Sequence, residues 1–191
     1  MAEETTLLVW GHVALGVCFA LYLLWWWVFF WPRVERPKGT LRTIGIVSII
    51  GAAVCGLGGI GLVIAGIAGL PVLTETIPAW SIAIGGMIAY VALFIVTAVL
   101  LNRPPTSELF IITGWAVLEL CVANGLYGAQ ILNLGQTIAL VIAIAILVIL
   151  SLICYQRFVS LKDKAAFICG AIPLVCGIIL AIVMVIIIGV I

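Results

Sequence analysis

The amino-acid sequence predicts an all-α, polytopic integral membrane protein, a bundle of six transmembrane helices, and three observations carry that reading. Of its 191 residues, 66% are hydrophobic and 8% charged, with a mean hydropathy of +1.47. Soluble domains ordinarily have about 45–50% apolar and about 25% charged residues. The apolar residues fall in six runs, each long enough to supply the ~20 helical residues that cross a ~30 Å hydrocarbon core. The charged residues lie outside those runs, with Glu119 as the single exception.

The runs cover about 7–31, 43–69, 80–101, 109–129, 137–156 and 165–190. Their connections are too short for a soluble domain, so residues 1–191 are expected to form a single transmembrane domain. A β-barrel would need segments alternating apolar and polar, whereas "TIALVIAIAILVILSLICY" is apolar on every side. The N-terminal "MAEETT" is acidic where a signal peptide is basic, and the mature chain is expected to keep its first run.

The first run ends in "LLWWWVFFWPR". Indole rings gather at the headgroup level, and Pro32 with Arg33 stops the span there, so the tract reads as an interfacial anchor. A haem surface would want a second histidine, and His12 is the only one. His12 shares a helix face with Gly16 and Ala20, so its imidazole is expected to point at a neighbouring helix.

The second run carries eight glycines. Small residues let backbones approach where no hydrophobic force drives helices together. Ser48, Ala52 and Gly56 recur at every fourth position, as do Gly61, Ala65 and Gly69. The run therefore reads as the packed centre of the bundle. A helix broken around Gly56–Gly59, with free carbonyls lining a site, is the alternative.

The fourth run, "GWAVLELCVANGLYGAQ" from Gly114, holds the costly polar residues. Glu119 lies about ten residues from either end, near the bilayer midplane. An acid at that depth costs about 2.5–3.5 kcal/mol on insertion scales and should face protein or water. At 100° per residue, Gln130 and Trp115 fall within about 40° of Glu119 and Tyr127 about 80° away. Cys121, Asn124, Gly125 and Gly128 take the opposite side, a close-packing seam with Asn124 as an interhelical hydrogen-bond donor.

All six cysteines lie in the runs, none in a C-x-x-C pair. They read as small buried hydrophobes, with neither a disulfide framework nor a metal site indicated. Arg42 to Cys55, Glu108 to Cys121 and Asp163 to Cys176 are each thirteen apart, a weak hint of three tandem helical hairpins.

The eight Lys and Arg fall in three connections: Arg33, Arg36, Lys38 and Arg42 in the first, Arg103 in the third, and Arg157, Lys162 and Lys164 in the fifth. Positive charge is retained in the cytoplasm, so both termini are expected outside a multi-pass protein of the cell membrane. Four basic residues against one acid in the first connection could also attract anionic headgroups, although threading alone accounts for them.

Functionally, Glu119 with Tyr127, Gln130, Asn124 and His12 reads as a site for a small solute, a cation or a proton in a transporter, channel or solute-binding membrane subunit. The alternative is an accessory or assembly subunit with no transport of its own, in which Glu119 hydrogen-bonds a neighbour and fixes helix register. Beyond the lipid bilayer, a partner membrane subunit or a second copy is the expected partner. Nothing points to a cofactor, a nucleic acid or an enzyme, since a membrane enzyme would want a second acid, a Ser/His pair or a metal cluster at depth.

Overall fold

The structure of the chain, a computed structural model, describes residues 2–32, 37–102, 106–158 and 161–190. It is all-α. In order come α1 (Ala2–Phe30), α2 (Gly39–Gly69), α3 (Ala79–Ile95) continued by a π-helical turn (Val96–Leu100), α4 (Ser107–Gly128), α5 (Leu134–Phe158) and α6 (Asp163–Gly189). Six helices are long and apolar enough to cross a membrane, which bears out the expected class. Arg33, Arg36 and Arg103 lie outside the described residues.

The helices extend beyond the apolar runs where local chemistry favours it. Glu3 and Glu4 occupy the first turn of α1, where acidic groups complement the positive end of the helix dipole. Thr5 and Thr6 both donate to the Ala2 carbonyl. At the start of α2, Gly39 has φ +56°, a left-handed conformation that glycine adopts without steric penalty.

The helices group into two compact units, residues 1–69 with 157–191, and residues 70–156. In the first, α2 and α6 both pack on α1. The contact between α1 and α2 is built from glycine: a Cβ at Gly59 would lie 3.0 Å from the Gly11 carbonyl, and one at Gly66 would lie 2.7 Å from Leu8. Gly45, Ser48, Ala52, Gly59, Val63 and Gly66 are the buried positions of this seam. The second small-residue stripe shares it only at its end: a Cβ at Gly69 would lie 2.7 Å from Glu4, whereas one at Gly61 would meet nothing within 4 Å and Ala65 is exposed. The expectation that α2 is the packed centre is thus corrected: within this unit α1 has helices on two sides. Helix α2 is also continuous through Gly56–Gly59, so the broken-helix alternative is not adopted.

On the other side of α1, Phe19 fills the space over Gly177 and Trp26 the space over Gly170. Trp26 is buried and donates its indole N–H to the Phe167 carbonyl of α6 at 3.1 Å. Part of the aromatic tract is therefore a helix-packing device. Helix α6 continues through Pro173.

In the second unit, α3 packs on α4 where Val117 meets Gly86, and α3 itself has no buried residue. Helix α5 is tied in at one end by hydrogen bonds: Gln156 Nε2 donates to Thr97 Oγ1 in the π turn at 2.8 Å, and the Thr106 amide donates to the Tyr155 hydroxyl at 2.9 Å. The hairpin reading holds for α1–α2 and α3–α4, while α6 takes α1 as its packing partner.

Candidate functional site

Helix α4 supplies the site because it buries one continuous face. Leu109, Ile112, Trp115, Glu119, Val122, Ala123 and Leu126 are all buried, and on a 100° wheel they form an arc centred on Glu119. Val117, which meets α3, lies on the far side. Glu119 is 0% exposed, as are Leu109, Val122, Ala123 and Leu126 around it. It lies nine residues before the end of α4 at Gly128, about 14 Å along the helix axis. The carboxyl group is thus held deep in a span and inside protein, as the insertion cost of an acid requires.

Its polar neighbours on α4 have their own work. Thr113 is buried and donates to the Leu109 carbonyl at 2.9 Å, a back-bond that satisfies its hydroxyl proton. Trp115 shares the buried face, as the wheel predicts. Tyr127 is half-buried near the end of the helix.

Gln130 does not continue the wheel, because α4 ends at Gly128. The Ile131 amide donates to the Leu126 carbonyl and the Gln130 amide to that of Tyr127, at 3.0 and 2.9 Å, and Gln130 itself has φ +58°. That is a Schellman cap with glutamine in the left-handed position usually held by glycine. Its exposed side chain donates to Thr74 Oγ1 at 3.4 Å. Asn124 donates as expected, but to the Ile77 backbone carbonyl at 2.8 Å in the connection before α3. The Leu73 and Thr74 amides both donate to the Gly128 carbonyl, at 2.8 and 3.1 Å. Gly128, with Thr76 against it, completes a strap of residues 70–78 laid over the end of α4. The close-packing seam lies on the side of α4 that the sequence suggests, but the strap fills part of it.

His12 belongs to the other unit. It is 0% exposed, and its Nδ1 lies 2.7 Å from the Leu8 carbonyl. A carbonyl only accepts, so Nδ1 is the donor in this contact. Glu119, Tyr127, Asn124 and Gln130 share one unit, and of these Asn124 and Gln130 hold the strap.

A second polar cluster has no counterpart in the sequence reading: Thr97, Thr106, Tyr155 and Gln156, where the π turn, the start of α4 and the end of α5 meet. Thr97 also donates to the Leu93 carbonyl at 2.7 Å. Its one visible signal is "YQR" at the end of the fifth run, which reads equally well as an ordinary span boundary. Among the described residues no three of His, Cys, Asp and Glu gather as metal ligands, and all six cysteines are free thiols.

These features define a multi-pass helical membrane protein with an acid buried inside one of its spans. Comparison with protein-family models, with curated proteins and with solved structures finds no match for this chain.

Proposed function

We propose that the chain is a small transport protein of the cell membrane, a permease, channel or solute-binding membrane subunit, in which Glu119 binds a cation or a proton. The observation that carries this reading is the complete burial of Glu119 at the centre of the buried face of α4. A helix that needed only an apolar face there would be more stable with leucine, so retention of an ionisable group argues for use of its charge. Tyr127 stands two turns closer to the end of α4, where a polar ring can pass a solute or proton towards the acid. With the basic connections retained in the cytoplasm, both termini and the strapped end of α4 face outward. No enzymatic step is part of the proposal.

The test is infrared difference spectroscopy on the purified chain, recorded as pH or cation concentration is changed. A carboxyl band that responds in the parent and is missing from the Glu119→Gln difference spectrum supports the assignment. Identical parent and variant spectra refute it.

A second reading, an accessory or assembly subunit, draws support from the strap: Asn124 of α4 and Gln130 just beyond it serve local structure. Helix α3, with no buried residue, offers a face for a partner subunit or a second copy. Under this reading Glu119→Gln is silent and the chain co-purifies with a partner.

A further inference from the structure

We propose that the end of the first unit where α1 stops and α6 starts is a binding surface for anionic phospholipid, with phosphodiester headgroups held by a basic rim and acyl chains lying on an aromatic shelf. The fold builds this surface from distant parts of the sequence. Phe158 and Phe167 come to Trp26 with ring centroids 6.2 and 6.3 Å away, and Phe167 also meets Trp31 edge-on at 5.0 Å. That packing brings Arg157, Lys162 and Lys164 to the end of α1. Gly45 lies against Phe29 and Val28, which brings Lys38 and the first turn of α2 with Arg42 to the same end. All five basic residues are exposed, and Asp163 stands between Lys162 and Lys164. At the opposite end of α1 stand Glu3 and Glu4, so the charge pattern selects one leaflet.

The shelf is rigid and open. Phe30 stacks on Trp26 at 4.2 Å and 14°, and the bond to the Phe167 carbonyl fixes the indole beneath it. Trp27, Phe30 and Trp31 nonetheless remain 43%, 49% and 37% exposed. Indole rings rest at the level of the lipid carbonyls, and Lys and Arg stems reach past them to the phosphates. Insertion requires only positive charge near the span ends and would be met by charges scattered on any side. A fixed aromatic shelf under a rim of five cations goes further and matches the chemistry of an anionic lipid.

The test is electron paramagnetic resonance of the full chain in phosphatidylcholine vesicles carrying a trace of spin-labelled phosphatidylglycerol or spin-labelled phosphatidylcholine. The parent should retain phosphatidylglycerol preferentially, and the preference should fall as salt is raised, because the rim is exposed to screening. Arg42→Gln and Lys162→Gln should each lower the preference up to about fivefold, equivalent to about 1 kcal/mol per basic residue. Lys162→Arg, which keeps the charge, and Glu3→Gln, at the far end, should leave it unchanged. Equal retention of the two lipids by the parent, or a preference that survives neutralisation, would overturn the proposal and leave the charges with threading alone.

Discussion

Glu119 is the residue on which the account turns, and it is also the most legible from sequence, because a charge in the middle of an apolar run has no inexpensive explanation. Its burial follows from the same cost. The Glu119→Gln variant keeps size and hydrogen-bonding capacity, so the helical content should be unchanged while ligand or proton binding is lost. Relief of the burial penalty should raise thermal stability, by on the order of 1 kcal/mol. Glu119→Leu separates the roles further: reduced assembly in detergent means a neighbour depends on the carboxyl group, and loss of function alone means it faces a cavity. Gln130 was less legible. A helical wheel assumes that the helix goes on, and a Schellman cap closed by glutamine at φ +58° lacks the glycine that normally announces it. Asn124 donates, but not between helices as the sequence suggests: its acceptor is a backbone carbonyl in a connection, which no pattern of side chains reveals.

At the scale of elements, the six spans follow from the apolar runs because length and hydropathy alone decide them, but packing partners do not. Small residues mark where a helix can be approached without saying which stripe is used. Gly59→Leu forces a side chain against the Gly11 carbonyl and Leu15, and overpacking of this kind costs about 1–3 kcal/mol. Gly61→Leu, facing open space, should melt like the parent in detergent. Equal loss in both variants would contradict the seam. The strap makes a separate demand. Asn124→Ala removes its bond to the Ile77 carbonyl, worth about 1 kcal/mol, and should speed amide exchange at Leu73 and Thr74 while α4 itself stays protected. Unaltered exchange there would mean that the strap is held by something else. The π turn was invisible because "FIVTAVL" contains no break. Its buried Thr97 is tied across to Gln156 only once the helices are in place.

For the whole molecule, the charge asymmetry predicts the threading. In a variant stripped of native cysteines, a membrane-impermeant thiol reagent applied from outside should modify Thr74→Cys and spare Thr40→Cys. The reverse pattern would invert the orientation and send the strapped end of α4 to the cytoplasm. The sequence indicated a membrane bundle but not its grouping. Two-unit organisation depends on which helix faces α1, and α6, apolar on all sides, advertises no preferred partner. The central claim is that the assembled chain moves a cation or proton by way of Glu119. Its most direct test is flux through proteoliposomes containing only this chain, with a proton or monovalent-cation gradient imposed and a trapped indicator read inside. The account predicts dissipation of one of these gradients by the parent, abolished in Glu119→Gln and retained in Gly61→Leu. Gradients that hold in the parent, or that collapse equally fast in Glu119→Gln, would contradict it.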